Sequence, residues 1–349
     1  MRLLQVRKIQ KVGYSTLTVS LPRDWVEDVK LMPGDIISIR REPDGSLKLI
    51  PGTEYKHEEG ESCIINADLC DSPHLLTRAI TGNYILGHDT IQITTKEELT
   101  KMHLEEIRTT ARRLTGLNIV EQTLNQVTLQ SFIDATRFSV YGLMRRLHVI
   151  ISSMLDASSE ALLEGNTEPA AEVTQMEDDV DRIYWLIIRQ LFLVLRDRRR
   201  ATDVGVDSPL HIVGNRVIAK TLEEIADAGE EVGNEVLVLK DQHITSDTSR
   251  KIAKFAVQVN TILEHSFTAF LTGNIKLAND TLESIESAEN DASVLTQEVL
   301  IHQKNASVAA SVRIILWNLS QIARYCRIIG EVAINRTMET PSEICELPQ

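Results

Sequence analysis

Two stretches decide how the chain is read: Glu177-Asp-Asp-Val-Asp-Arg-Ile-Tyr184 and Lys220-Thr-Leu-Glu-Glu-Ile-Ala-Asp227. Each lies within a long amphipathic segment, and each sets two carboxylates four residues apart, Glu177 with Asp181 and Glu223 with Asp227. On a helix that spacing puts a pair on one face, about one turn apart. If the two helices are antiparallel neighbours, all four carboxylates converge. A cluster built only of oxygen ligands suits hard or intermediate cations such as Mg²⁺, Mn²⁺, Ca²⁺ or iron, because a bound cation relieves the mutual repulsion. A solvated acidic helix face in an acidic chain satisfies the same spacing.

Working outward, strand signals cease after residue 131, and the rest reads as six helices: 131–164, 169–197, 209–240, 246–272, 275–303 and 305–335. Gly165-Asn166 and Gly273-Asn274 close two of them, while Pro169 and Ser208-Pro209 open two others. Glycine just past a helix end and proline just inside a start is the asymmetry that capping physics predicts. The natural parse is two three-helix units, the second a faint repeat of the first. Upstream, the signals alternate: strand 62–68, helix 73–86, strand 90–94, helix 96–115, then strands 117–122 and 126–130, a small α+β sandwich.

At the N-terminus, residues 4–21 favour strands, with Leu17, Val19 and Leu21 alternating with Thr18 and Ser20. Pro22 opens a short helix, and strands 36–41 and 47–50 are joined through Pro43-Asp44-Gly45, a strong hairpin signal. A β-β-α-β-β unit of this size buries too little surface to stand alone, so a homodimer is expected. The organisation is multidomain α+β: residues 1–52, a middle α+β domain at 53–130, and a six-helix domain at 131–340.

The 349 residues are 43% hydrophobic, which excludes a disordered chain, and the net charge of −13 argues against a general nucleic-acid or anionic-membrane binder. That average hides a split. Residues 1–52 carry nine Lys/Arg and six acids, a balance of +3, so the remainder sums to −16. Arg7, Lys8, Lys11 and Arg23 belong to the positive segment and could meet phosphates, or could serve solubility on outward strand faces. Arg196, Arg198, Arg199 and Arg200 cluster at a helix end, where the macrodipole alone favours cations.

Charges near Met1 leave no apolar export segment, so a cytoplasmic protein is expected. The longest apolar stretches, near Trp185–Leu195 and Val308–Leu319, are interrupted by Arg189 and Arg313 and read as buried helix faces rather than membrane spans. The four cysteines form no Cys-x-x-Cys pair and are expected as reduced thiols. A di-iron oxidase would need a Glu-x-x-His pair on each of two helices, and the only such spacing, Glu54 to His57, lies in a linker. With no metalloprotease, nucleophile-elbow, Walker or dinucleotide motif, no enzyme is expected.

Residues 8–51, including Lys8-Ile-Gln-Lys-Val-Gly-Tyr-Ser-Thr-Leu-Thr-Val-Ser-Leu-Pro-Arg-Asp-Trp-Val and Met32-Pro-Gly-Asp-Ile-Ile-Ser-Ile, resemble the AbrB/SpoVT family. The resemblance implies a DNA-binding, swapped-hairpin β-barrel in which two chains interlace. Many members start the second strand with Gly-Arg and turn that arginine to DNA; here the matching residues are Gly13 and Tyr14, so the contact set of Arg7, Lys8, Lys11 and Arg23 rests on charge.

The helical half resembles PhoU, the phosphate-uptake regulator family, through Leu222-Glu-Glu-Ile-Ala-Asp227 and Glu177-Asp-Asp-Val-Asp181. In some members such motifs hold metal clusters, which implies Glu177, Asp181, Glu223 and Asp227 as ligands of a divalent or iron cation. In the second repeat Ser320 and Arg324 stand at the two acidic positions, and Glu289 is followed four residues later by Ser293, so no cation is implied there.

Together the two resemblances look like the archaeal PhoU-like phosphate uptake regulators. They imply a homodimer that binds DNA through residues 1–52 and senses phosphate status through a phosphate ABC transporter or signalling protein. The alternative is a protein–protein adaptor whose N-terminal domain only dimerises. Residues 53–130 are expected as a rigid spacer or a small-ligand domain.

Overall fold

A computed structural model describes residues 6–41, 45–52, 62–134, 137–197, 200–206, 208–240, 242, 244–339, 341 and 344–345. The chain divides into two compact units, Met1–Gly60 and Glu61–Gln349.

In the first unit, β1 (Gln10–Val12) pairs antiparallel with β2 (Thr16–Thr18), Lys11 lying opposite Leu17, and Gly13 takes a positive φ of 67° in the turn. The helix α1 (Arg23–Asp28) follows, with Pro22 as its N-cap. Then β3 (Ile37–Arg41) pairs antiparallel with β4 (Leu47–Pro51). The connecting Pro43-Asp44 lies outside the described residues, as does Glu54 to His57. The strands form two separate two-stranded sheets and close no barrel within one chain. The physical reason is visible in the burial: no described residue of this unit is buried, and Val12, Leu17, Val19, Ile39 and Leu47 all stay exposed. A barrel of interlaced hairpins draws its interior from a second chain.

The second unit opens with a four-stranded sheet in the order β5-β6-β8-β7, built from β5 (Ser62–Asn66), β6 (Thr90–Thr94), β7 (Leu117–Gln122) and β8 (Gln126–Ser131). Strands β5 and β6 are parallel, linked across α2 (Leu75–Ile85), while the β6–β8 and β7–β8 pairs are antiparallel. Period-two alternation puts Ile91, Ile93, Val127 and Leu129 on one face, where Leu76, Ile80 and Tyr84 of α2 and Ile107 of α3 (Lys101–Arg113) cover them. The helix expected from residue 96 starts later because Thr100 caps it through His103 N–H, while the Asp68 carboxylate holds Lys96 N–H.

Long helices follow: α4 (Val140–Glu164), α5 (Glu168–Arg196), the single-turn α6 (Arg200–Asp203), α7 (Pro209–Val238), α8 (Ser246–Thr272), α9 (Ile275–His302) and α10 (Ala306–Thr337). The expected start near 131 gives way to Val140, since β8 runs to Ser131 and Ser139 caps α4 through Gly142 N–H. Gly165 and Gly273 close α4 and α8 at φ 71° and 66°, a left-handed geometry that suits residues lacking Cβ. Of the basic run after α5, Arg198 and Arg199 lie outside the described residues.

Helices α4, α5 and α7 pack on one another, as do α8, α9 and α10, and the halves join through α7 with α10 and α4 with α8. By length and composition α10 could cross a membrane, yet Val308, Val312, Ile315, Leu319, Ile322 and Ile329 are buried in the shared core. The four cysteines carry free thiols, with Cys70 and Cys326 buried.

The sheet layer is fastened to the bundle by α5. Trp185 packs against both hydrophobic cores, and Thr115 donates its hydroxyl to the Arg182 carbonyl at 3.1 Å. Arg189, 1% exposed, reaches out of α5 to the carbonyls of Tyr84, Gly87 and His88 and to Asp89 at 2.6 Å. Removing the guanidinium takes a donor from the Gly87 and His88 carbonyls, leaves Tyr84 with only its bond from Gly87 N–H, and opens a cavity. Arg189→Ala is therefore expected to lower stability by roughly 3 kcal/mol or more, and Asp89→Asn, which leaves the carbonyl contacts, by about 1–2 kcal/mol. Urea titration followed by circular dichroism measures both; a loss under about 1 kcal/mol for Arg189→Ala would show that the junction is held otherwise.

Candidate functional site

Helices α5 and α7 meet along a seam of Val180, Ile183, Tyr184 and Ile187 on one side and Ile218, Leu222, Ile225 and Ala226 on the other, all buried. These apolar residues recur at three- and four-residue intervals, which is what turns both helices inward along one stripe. The carboxylates share the edge of that stripe. Glu223 is 8% exposed, Asp181 is 7% exposed, Glu177 is half-buried and Asp227 lies at the rim.

The Glu223, Glu224 and Asp227 carboxylates come within 4.8 Å of one another. Two of these were expected from the i,i+4 spacing. Glu224 was not, although its place three residues before Asp227 puts it on the same face. Lys220 sits one turn earlier and donates to Glu223 and, at 2.7 Å, to Glu224. Burial works against the ammonium, but those two carboxylates outweigh it and hold its pKa above the ordinary value. Tyr325 of α10 donates its hydroxyl to Glu224 at 3.3 Å.

Asp181 faces elsewhere. Its carboxylate pairs with Arg113 at the end of α3, so a residue of the sheet layer reaches into the acidic seam. The four expected ligands therefore do not form one closed cluster: Glu223 and Asp227 are joined by Glu224, while Glu177 and Asp181 stand across the seam on α5. They still act on each other electrostatically. Burial, reinforced by the charges of Asp181, Glu230, Asp227 and Asp178, pushes Glu177 up to about 7. Burial and Glu223 push Asp227 up to about 6, with Lys220 opposing and Asp181 adding to the rise. Burial also raises Glu223 against the pull of Lys220. An all-oxygen donor set holding excess negative charge fits a hard cation, and Lys220 is the internal cation that such an ion would displace.

On the first unit, Arg7, Lys8 and Lys11 are exposed on or just before β1. Arg23 is exposed at the start of α1 and pairs with Glu27 at 2.8 Å. Tyr14, in the β1–β2 turn, is fully exposed.

Comparison with known proteins agrees with this division. Residues 144–236, which include the whole acidic seam, match the PhoU domain, and residues 10–56 match the domain described as antidote-toxin recognition MazE, bacterial antitoxin. No curated protein matches the sequence. Among solved structures, the chain is similar to PhoU from Pseudomonas aeruginosa, at 16% identity and a TM-score of 0.52, covering 58% of this chain and 96% of that one. It is also similar to the phosphate transport system regulatory protein PhoU from Streptococcus pneumoniae, at 14% identity and a TM-score of 0.49, covering 60% and 96%. The first likeness gives the helical part a PhoU-like fold. A PhoU-domain match and a MazE/AbrB-like match thus flank, in sequence, the residues of the four-stranded sheet.

The raised carboxyls have a direct consequence for stability. A carboxyl whose pKa is higher in the folded state contributes stability that is complete below its unfolded value and is lost as pH rises through the folded one. For Glu177 that window runs from 4.5 to about 7, and for Asp227 from 3.8 to about 6. In chelator, the melting temperature should fall as pH is raised from about 5 to about 8, and Glu177→Gln or Asp227→Asn should flatten the profile. Thermal melts across that range check this; an unchanged slope in both variants would place the titrating groups outside the seam.

Proposed function

We propose that the protein is a homodimeric, cytoplasmic regulator of phosphate uptake that acts through binding rather than catalysis. The observation that carries this reading is the match of residues 144–236 to the PhoU domain, together with the PhoU-like fold of the bundle that contains it. In this reading the helical domain docks on a phosphate ABC transporter or a signalling protein. Glu223, Glu224 and Asp227 would hold a cation, with Glu177 and Asp181 closing the site from α5. Such an ion supplies charge neutralisation, so the seam can pack without protons. The chain's own part is to offer carboxylate oxygens and to let Lys220 swing away.

The first unit binds DNA in this proposal. Two chains pool their exposed apolar strand residues into one interior, which doubles a +3 segment into a local positive field. Arg7, Lys8, Lys11 and Arg23 then meet phosphates. A second reading, an adaptor that uses this unit only to dimerise, is favoured by Tyr14, an uncharged ring at the exposed turn.

Salt decides between the two. With six to ten phosphate contacts per dimer, affinity for promoter DNA should drop about a thousandfold or more between 50 and 200 mM salt, and deletion of residues 1–52 should abolish binding. Binding that is absent or insensitive to salt selects the adaptor. For the cation, elemental analysis of purified protein should find a metal that the Glu223→Ala/Asp227→Ala variant loses; equal metal content in both proteins would leave the seam as a solvated acidic face.

A further inference from the structure

The second half of the bundle holds a groove of about 610 Å³ between α9 and α10. Helices α9 and α10 stand to α8 as α5 and α7 stand to α4, so the groove occupies the place of the acidic seam in the first half. Its chemistry is the reverse. Arg324 takes the position that Asp227 holds in α7, and Ser320 that of Glu223.

The arginine is fixed rather than loose. Arg324 Nε donates to Glu289 Oε1 at 2.7 Å and its Nη1 donates to Gln321 at 3.1 Å, which sets the guanidinium 5.8 Å from the centre of the Trp317 ring. Trp317 is 56% exposed, on a helix whose inner face is core. Four residues earlier, Arg313 also lines the groove; it is exposed and makes no ion pair among the described residues. Glu289 cancels the charge of Arg324, so Arg313 leaves the groove net positive within a unit that is strongly acidic.

An exposed indole in the same groove as the unpaired Arg313, one turn along α10, selects a ligand with two parts. Guanidinium forks match phosphate oxygens, and an indole face takes a flat ring by stacking. The volume falls in the range of sites for organic ligands and is far larger than a phosphate ion requires. We propose that this groove binds a small organic phosphate bearing a planar ring, of the nucleoside phosphate class, with the ring on Trp317 and the phosphate on Arg313. The inference stands apart from both the cation and the DNA readings, since neither uses Arg313, Trp317 or Arg324.

The test is calorimetric titration of the full-length protein with ATP, AMP, ribose 5-phosphate and inorganic phosphate, with tryptophan fluorescence as a second readout. Saturable binding of a nucleotide is expected, at least about tenfold tighter than ribose 5-phosphate or inorganic phosphate. Arg313→Ala, an exposed position whose loss leaves the core intact, should weaken it by about tenfold to a hundredfold, and Trp317→Ala by about tenfold or more. Trp317→Phe, which keeps a ring, should retain binding but lose the fluorescence response. Thermal melts verify that the variants are folded. Absence of saturable nucleotide binding overturns the proposal, as does binding that neither Arg313→Ala nor Trp317→Ala weakens. Equal affinity for ribose 5-phosphate and nucleotide overturns the role of the ring. An acidic peptide that binds where no nucleotide does would assign the groove to a protein partner instead.

Discussion

Packing α5 against α7 is the constraint from which the rest follows. The apolar seam cannot close without drawing the carboxylates of both helices into one half-buried strip, where desolvation and like charge oppose ionisation together. Protons and the internal cations Lys220 and Arg113 relieve that strip. Since each competes with the others, the same residues that strain the bundle make it responsive to its surroundings. Removing the acids would stabilise the helix pair and remove its dependence on pH.

Much of this was legible in the sequence, because it depends on local rules. Gly165, Gly273 and Ser208-Pro209 mark helix ends through backbone geometry that only a few residue types satisfy, and those ends stand where the sequence puts them. Strand 90–94 was legible for the same kind of reason, a clean period-two pattern on one buried face. The starts of α3 and α4 were not. Their caps, Thr100 and Ser139, each accept an N–H three residues on, a local signal that many other Ser and Thr in the chain could equally have offered.

The candidate site divides in the same way. Spacing identified Glu223 and Asp227, but Arg113 meets Asp181 across 68 residues of sequence, and no periodicity carries such a pairing. Lys220 could have been read, since it lies three and four residues before its partners. The first unit shows the opposite limit. Its strands and turns follow local signals, while none of its described residues is buried within one chain.

Helix α5 carries two fixtures on a single rod. Asp181 belongs to the acidic seam, and Arg189, eight residues on, is clamped in the sheet layer, a separation of about 12 Å along the axis. A hydrogen-bonded helix is stiff along that direction, and at two turns it has little length over which to bend. Asp181 and Arg189 are therefore held at a nearly constant separation, each tied to the sheet layer, through Arg113 and Asp89. The sheet layer and the seam thus share one helix as their common support.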